Sequence, residues 1–266
     1  MSKIDIERWY PQRWDQVVGN RTLVEHYKRA LRDLGDGTLT VKGPSTLIRG
    51  PSNSGKTGVT KLFVQCLLCE HRDPVTLNPC GARNCKWCEF DTTRRHLTNL
   101  ETIQANGIIH FVPIDCTTKK SDELDDEVKN IEWSQGVGVV YLDEVHGLHR
   151  PGNYLERKLL IPIRNTSLTW IASSSTMGEL IPEFLNRFPH KIKTELPTKN
   201  QLVDWLADRC ESWDLEWEDA PTLFRLAERS NLIPGLALQV LAQADMRTPR
   251  HVTRKLVEEH VFYFEE

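Results

Sequence analysis

A lysine, a hydroxyl residue and two glycines stand at fixed spacing in residues 50–57, which read GPSNSGKT. This is the pattern G-x4-G-K-S/T of a phosphate-binding loop, whose consecutive backbone N–H groups point at phosphate oxygens. The pattern predicts that Lys56 contacts the β- and γ-phosphates of a nucleotide and that Thr57 places its hydroxyl on Mg²⁺. The loop residues that we expect to hold the phosphates are Ser52, Asn53, Ser54, Gly55, Lys56, Thr57 and Gly58.

Two carboxylates follow an apolar run later in the chain. Asp143 and Glu144 come directly after residues 139–142, VVYL, which are apolar enough for a strand buried on both faces of a parallel sheet. Carboxylates at the end of such a strand stand beside the phosphate loop of a neighbouring strand. There Asp143 can orient Mg²⁺, and Glu144 can polarise an attacking water for hydrolysis. An acidic loop without catalytic use is the alternative.

Four cysteines follow the helix that the phosphate loop opens. Cys69, Cys80, Cys85 and Cys88 form a C-x10-C-x4-C-x2-C series within an insert at about residues 69–90. Thiolates bind Zn²⁺ tetrahedrally, and four of them leave no open position, so the series predicts a structural zinc site. The insert is too short and polar to bury a core, so the metal would supply its folding energy. Four unligated cysteines in a loop are the alternative.

The composition is that of an ordinary soluble chain. Its 266 residues carry a formal net charge of −3, with 39% hydrophobic and 27% charged residues. No apolar run reaches the roughly 18 residues of a membrane helix, and the N-terminus has no signal-peptide core. A cytoplasmic location without a membrane partner is therefore expected, and in a reducing cytosol seven cysteines favour metal over disulfides. The charge permits nucleic-acid binding without indicating it.

Strands alternate with helices in the first part of the chain, and helices alone follow. Apolar runs predict strands at residues 46–48, 108–114, 138–142, 168–172 and 191–193. Apolar residues at helical spacing predict helices that include 21–34 and 59–67. Thr198 and Gln201 form a capping-box pair at the start of the helical part. We therefore predict an α/β domain with a parallel sheet over residues 1–196 and a small helical domain over 197–266.

Two stretches carry the resemblance to a known family. Residues 140–148, VYLDEVHGL, resemble the Walker B strand of the AAA+ ATPases, above all of the clamp-loader and Holliday-junction-motor branch. Residues 10–19, YPQRWDQVVG, resemble the stretch with which these proteins begin, which implies that Val17 and Val18 help to hold the adenine of ATP. The resemblance implies an AAA+ P-loop NTPase: a five-stranded parallel sheet flanked by helices, with a zinc-binding insert and a C-terminal helical lid.

Further segments stand in the order that the family shows. Ser174 ends the fourth strand, where the family carries a polar sensor of the γ-phosphate. The usual residue there is Thr or Asn, and Ser173 or Ser175 are alternatives for the role. Residues 180–188 resemble the arginine-finger segment, which implies that Arg187 enters the site of a neighbouring subunit. A turn of serines and a surface arginine are the plain structural alternatives.

Residues 248–250, TPR, resemble the second sensor of the family's helical lid. A proline is favoured in the first turn of a helix, so Pro249 is predicted to start the last helix with Arg250 in its first turn. The resemblance implies that Arg250 points at the γ-phosphate. Arg247 and Arg254 are nearby substitutes for this role.

The cysteine series favours one branch of the family. Bacterial clamp-loader ATPase subunits carry a zinc module at this place, with somewhat different spacing. Their chains continue into a third helical domain, and junction motors continue into a winged-helix domain, whereas this sequence ends at Glu266. We therefore expect a clamp-loader-like subunit that lacks the third domain.

The resemblance implies a protein that binds and hydrolyses ATP with Mg²⁺. It would form a homo- or hetero-oligomer with ATP at the interfaces, where Arg187 completes a neighbouring site. It would act on DNA or on a DNA-bound protein such as a sliding clamp or a polymerase in replication. The alternative is a nucleotide-gated scaffold, resembling transposition regulators or immune-type ATPases, in which ATP binding drives assembly and hydrolysis is slow. The serine at position 174 leaves room for this alternative.

Overall fold

A computed structural model provides the structure of the protein. It describes residues 10–33, 45–69, 71–82, 85, 88, 103–105, 108–118, 120–132, 138–150, 153–165, 167–176, 180–247 and 249–263. The part of the predicted zinc insert beyond Cys88 and Thr248 of the predicted second sensor lie outside these described residues.

The first part of the chain folds around a mostly parallel sheet. The described strands are β1 (Thr46–Arg49), β2 (Ile103–Ala105), β3 (Ile108–Asp115), β4 (Val139–Asp143), β5 (His149–Arg150), β6 (Asn153–Tyr154), β7 (Thr169–Ser174), β8 (His190–Lys193), β9 (Glu216–Trp217) and β10 (His251–Val252). The main sheet has the order β2-β3-β4-β7-β1-β8. All its pairings are parallel except that of β2 with β3. The five predicted strands are confirmed as this parallel sheet, and the short edge strand β2 is an addition to the prediction.

Helices flank the sheet and form most of the second part. The described α-helices are α1 (Arg21–Asp33), α2 (Lys56–Leu68), α3 (Ser121–Glu132), α4 (Leu160–Asn165), α5 (Pro182–Leu185), α6 (Lys199–Ser212), α7 (Ala220–Arg229), α8 (Pro234–Asp245) and α9 (Arg254–Glu259). The helices predicted near residues 21–34 and 59–67 are confirmed as α1 and α2. The capping box of Thr198 and Gln201 is present at the start of α6. Among the described helices, none has the length and apolar character needed to cross a membrane.

Three apolar clusters hold the described elements together. One lies on the sheet face covered by α1 and α2, a second on the opposite face with α3, α4 and α5, and a third among α6 to α9. Val139 and Tyr141 of β4 belong to the first cluster, while Val140 and Leu142 belong to the second. Because β4 is buried on both faces, the carboxylates at its end stand on a firmly packed strand.

The last helix begins later than the sequence predicts. His251–Val252 forms β10, which pairs in parallel with β9. The side chain of Thr253 then accepts a hydrogen bond from Leu256 N, which caps α9 at its first residue, Arg254. The prediction that Arg250 lies in the first helical turn is therefore wrong, because the residues after it are used for strand pairing.

Candidate nucleotide-binding site

The loop between β1 and α2 turns tightly into the start of a helix. Ser54 N donates to Pro51 O at 3.3 Å, and Gly55 has φ 96°, in the left-handed region that favours glycine. The helix α2 begins at the next residue, Lys56. The free N–H groups and partial positive charge at this helix start suit an anion in the loop.

Lys56 reaches back over the loop. Its side chain is only 4% exposed, and Nζ donates to Gly50 O at 2.9 Å and to Pro51 O at 3.1 Å. Nζ also lies 3.4 Å from Glu144 Oε1. A buried ammonium group needs such partners to offset its lost hydration. The positive charge of Lys56 is therefore held beside the loop backbone, where phosphate oxygens could replace these contacts.

Four oxygen-bearing side chains, Thr57, Tyr141, Asp143 and Ser173, form what we call the hydroxyl cluster. Thr57 Oγ1 donates to Asp143 Oδ2 at 3.2 Å. Tyr141 OH and Ser173 Oγ donate to Asp143 Oδ1 at 2.9 Å and 2.6 Å. Tyr141 OH also lies 3.1 Å from both Thr57 Oγ1 and Ser173 Oγ. Hydroxyl and carboxylate oxygens are ligands that Mg²⁺ prefers, so the two residues expected at the metal, Thr57 and Asp143, are brought together.

Tyr141 is not singled out by the sequence patterns above, although its position carries a signal. It lies in β4 two residues before Asp143, so both side chains leave the same face of the strand. It is fully buried. Burial, with a smaller effect of the Asp143 charge, raises the pKa of Tyr141 well above its usual value. The phenol therefore stays protonated and acts as a hydrogen-bond donor to the carboxylate.

Glu144 occupies an uncommon backbone conformation. Its φ of 48° and ψ of 59° lie in the left-handed region, which residues with a Cβ seldom adopt and which is often found at functional sites. Its Oε2 accepts a hydrogen bond from Ser175 N at 2.7 Å and lies 3.2 Å from His146 Nδ1. With Lys56 on the other carboxylate oxygen, Glu144 is held at the wall of the cleft.

The two serines that end β7 face different partners. Ser173 Oγ donates to Asp143, as described above. Ser174 Oγ donates to the carbonyl oxygen of Thr176 and lies 3.3 Å from His146 Nδ1. The structure therefore brings Ser173 to the carboxylate expected at the metal. The predicted sensor Ser174 contacts His146, which in turn contacts the carboxylate of Glu144.

The cleft has an apolar end beside the loop. Its volume is about 310 Å³, a size that suits a small organic ligand. Val17 and Val18 line it, as their expected role beside the adenine requires. The loop residues 52–58, Asp143 and Glu144 line the polar end. The other residues that line the apolar end include Tyr10, Pro11, Gln16, Trp205, Pro234, Gly235 and Leu238.

Two hydrogen bonds join the C-terminal helices to the walls of this cleft. Trp205 Nε1 of α6 donates to Gln16 O at 2.8 Å. Gly235 N, at the start of α8, donates to Asn53 O at 3.0 Å. A Cβ at position 235 would lie 2.7 Å from that oxygen, so the close approach requires glycine. Sequence patterns miss these contacts because they join segments far apart in the chain.

One polar atom of the loop has no partner among the described residues. Ser54 is 1% exposed, and its Oγ makes no hydrogen bond there. Buried hydroxyls are almost always hydrogen-bonded, so an oxygen of a ligand in the loop would satisfy this atom. Together with the hydroxyl cluster and the apolar end, this orphaned atom fits a nucleotide with its phosphates on the loop and its base beside Val17 and Val18.

Neither of the two predicted arginines lines this cleft in its own chain. Arg187 follows α5, and its Nε is buried without a hydrogen-bond partner in the described structure. Arg250 donates through Nε to Asp245 Oδ1 at 3.0 Å and through Nη2 to Trp213 O. The structure does not bring Arg250 to the phosphate loop, so its sensor role stays a prediction without geometric support.

The four cysteines of the insert converge. Their sulfur atoms all lie within 4.8 Å of one another. Cys69 Sγ is 3.9 Å from Cys85 Sγ and 3.7 Å from Cys88 Sγ, and Cys80 Sγ is 3.5 Å from Cys88 Sγ. Four sulfurs at about 2.3 Å from a tetrahedral Zn²⁺ would lie about 3.8 Å apart, so the cluster fits the ion.

Burial affects the chemistry of this cluster. It raises the pKa of the Cys69 and Cys88 thiols above the usual value. Thiolates are the ligands of Zn²⁺, so a bound ion must offset this cost by its own charge. The cluster therefore fits a structural metal that binds with release of protons.

Comparison with known proteins finds similarity in fold only. No protein-family model and no curated protein matches the sequence. Among solved structures, the Thermotoga maritima RuvB Holliday junction branch migration motor matches with a TM-score of 0.61 and 16% identity, over 94% of this chain and 71% of that chain. A point mutant of the same RuvB matches with a TM-score of 0.62 and 15% identity, over 95% and 72%. The chain thus shares the α/β fold of these structures, and its sheet of five parallel strands with the antiparallel edge strand β2 is flanked by helices.

Proposed function

We propose that this protein is an AAA+ ATPase that binds ATP with Mg²⁺ in the cleft and hydrolyses it. The observation that carries the proposal is the meeting of Lys56, Thr57, Asp143 and Glu144 in one cleft, although the carboxylates are far from the loop in sequence. A phosphate loop alone supports binding. Glu144 is a carboxylate beside this loop that is not one of the two residues expected to hold Mg²⁺. Such a carboxylate also supports hydrolysis.

We assign each residue of the polar end a role according to its position. The loop N–H groups and Lys56 bind the phosphates, while Thr57 and Asp143 would hold Mg²⁺. When bound, Mg²⁺ would neutralise charge that develops on the transferring phosphoryl group. Tyr141 and Ser173 keep the Asp143 carboxylate oriented through their hydrogen bonds to Oδ1.

Glu144 is the residue that we propose as the base for the attacking water. Its side chain is 24% exposed, so it can contact water in the cleft. Ser175 N and His146 orient one of its oxygens, which leaves the other oxygen for the water once Lys56 contacts phosphate instead.

The test is the variant Glu144→Gln, which keeps shape and loses the base. We expect ATP turnover to fall about 100-fold or more, a loss of the size that removal of a general base causes. ATP affinity should stay near that of the wild type. Glu25→Gln, at an exposed position of α1, is the matched control and should behave as wild type. Equal turnover in Glu144→Gln and wild type would refute the proposal for hydrolysis.

We also propose that the active form is an oligomer in which Arg187 completes a neighbouring site. Support comes from the position of Arg187, which is outside the cleft of its own chain, and from its unpaired Nε in the described structure. Lys56→Ala and Arg187→Ala should each be inactive alone. Mixed together they should regain turnover, because the first supplies an arginine to the intact loop of the second. A mixture as inactive as its components would refute the shared site.

The wider role that we propose is action on DNA or on a DNA-bound protein, with residues 1–196 as nucleotide-binding domain and 197–266 as lid. The likeness in fold to a Holliday junction branch migration motor supports action on DNA, and the four-cysteine cluster supports the clamp-loader-like reading with Zn²⁺. A sliding clamp or a polymerase would be the partner in that reading. Turnover that is unchanged by primed DNA, alone or with a clamp, would count against it.

A nucleotide-gated scaffold is the second candidate. The observation that favours it is the lid side of the cleft, where the lining residues Trp205, Pro234, Gly235 and Leu238 carry no charge. A lid that brings no cation to the phosphates supports binding more than hydrolysis. ATP-dependent assembly of a wild type that turns over no faster than Glu144→Gln would favour this candidate.

A further inference from the structure

The cysteine insert packs directly against the segment that walls the apolar end of the cleft. Trp14 is the link. Its indole Nε1 donates to Leu77 O at 2.9 Å, and its backbone N donates to Asn78 Oδ1 at 2.8 Å. Trp14 is 5% exposed, and it shares one apolar cluster with Leu77 and with the three buried cysteines, Cys69, Cys85 and Cys88.

The partners of Trp14 belong to a loop that is tied to the cysteines. Cys80 N donates to Cys69 Sγ at 3.3 Å, which joins the end of the loop to the cluster. Within the loop, Asp73 N donates to Asn78 O at 3.0 Å. Leu77 is buried with φ 59°, a conformation that the chain holds only when its surroundings impose it. Any change that loosens the cysteines therefore loosens both acceptors of Trp14.

The residues that follow Trp14 in the chain form part of the wall of the cleft. It begins the short 3-10 turn Trp14–Gln16, and Val17 N closes that turn on Trp14 O at 3.3 Å. Gln16 O is the acceptor of Trp205, so the same turn also carries the contact with α6. Val17 packs against the apolar cluster of Trp14 and also lines the cleft.

We propose that metal binding at the four cysteines sets the affinity for nucleotide through Trp14, which is a positioning residue for the base end of the cleft. The inference rests on the proposed nucleotide site and names a regulation of it. A metal that folds the insert presents Leu77 O and Asn78 Oδ1 to Trp14. The turn then holds Val17 against the base and Gln16 against the lid.

Linkage makes the proposal reciprocal. If metal raises nucleotide affinity by some factor, nucleotide must raise metal affinity by the same factor. Couplings of this kind are typically about 5- to 150-fold. We therefore expect at least about a fivefold effect in each direction.

The first experiment compares the zinc-loaded and the chelated full-length chain. Affinity for a fluorescent ATP analogue should fall at least about fivefold on chelation. Nucleotide should raise the affinity of the chain for zinc by the same factor, which competition with a chelator measures. Cys210→Ala, which removes a buried cysteine of α6 outside the cluster, is the control and should retain the full response. Equal affinity with and without zinc would overturn the inference.

The second experiment leaves the metal in place. Trp14→Phe should still bind one zinc per chain, because none of the ligands changes. Its nucleotide affinity should be close to that of the chelated wild type and should no longer respond to zinc. KM for ATP should rise while kcat stays the same, and Trp217→Phe, a half-buried tryptophan of β9, should change neither value.

The Trp14→Phe variant keeps the proposal testable even if chelation unfolds the chain, because its metal stays in place. A Trp14→Phe protein whose affinity equals that of the wild type would overturn the inference. A wild type that binds no ATP at any zinc level would instead refute the proposed function, so the two failures are distinguishable.

Discussion

The two ends of the cleft are built in opposite ways. The phosphate end is polar and consists of groups at the carboxyl ends of three adjacent parallel strands, β4, β7 and β1 with its loop. The base end is apolar and is assembled from the N-terminal segment, α6 and α8. Adjacent strands of one sheet hold the first set at a fixed distance. The second set depends on the packing of separate segments against one another.

This difference indicates where the site is rigid and where it can respond. Three of the four members of the hydroxyl cluster, Tyr141, Asp143 and Ser173, belong to a sheet that is buried on both faces, so their geometry changes little unless the fold changes. The base end rests on a few hydrogen bonds between segments, such as those of Trp205 and Trp14. A change in the packing of these segments can therefore act on the base end without disturbing the phosphate end.

The largest effect is expected at the phosphate end. Lys56→Ala should weaken binding of both ATP and inorganic tripolyphosphate about 100-fold, because it removes a charge-assisted contact to phosphate and leaves Glu144 without its cation. Competition binding with a fluorescent nucleotide measures both. Lys129→Ala, at an exposed position of α3, is the control. A loss for ATP but not for tripolyphosphate would contradict the division between the two ends.

A smaller effect is expected inside the hydroxyl cluster. Tyr141→Phe removes the hydroxyl that contacts Thr57, Asp143 and Ser173, and should raise the Mg²⁺ concentration for half-maximal turnover about 10-fold. Nucleotide affinity without metal should stay the same. Tyr27→Phe is a close control, because Tyr27 is equally buried and its hydroxyl contacts only Thr60 among the described hydrogen bonds. An unchanged Mg²⁺ dependence would show that Tyr141 does not position the metal residues.

The smallest effect is expected at the base end. Trp205→Phe removes one neutral hydrogen bond, to Gln16 O, and should weaken ATP binding about three- to tenfold while tripolyphosphate binding stays the same. Trp217→Phe is again the control. Equal losses for ATP and for tripolyphosphate would mean that the lid contact acts on the whole cleft, and the two ends could not be treated separately.

Elements with strong local signals are predicted well. The strands β3, β4, β7 and β1 follow from apolar runs, and the start of α6 follows from its capping box, because each signal lies within a few neighbouring residues. The last helix is predicted wrongly because Pro249 suggests a helix start, whereas pairing of β10 with β9 decides the conformation there. The edge strand β2 is only three residues long and has no comparable pattern.

The same division holds for the site. Lys56, Thr57, Asp143 and Glu144 can be read from motifs, since each motif combines a strand with the loop that follows it. The role of Tyr141 cannot be read from a motif, because it depends on the pairing of β4 with β7. In that arrangement the Tyr141 hydroxyl reaches Thr57 and Ser173. Whether Arg187 acts on the cleft of a second chain depends on contacts between chains, which no local pattern contains.

The amino-acid sequence by itself determined the phosphate loop, the carboxylates at the end of β4, the spacing of the four cysteines and the alternation of strands and helices. These depend on interactions between near neighbours in the chain. Only the tertiary structure decided that Gly235 N meets Asn53 O, that Trp205 meets Gln16 O, and that Trp14 joins the insert to the cleft. The physical reason is that such contacts join distant segments, and their geometry exists only after the apolar clusters have packed.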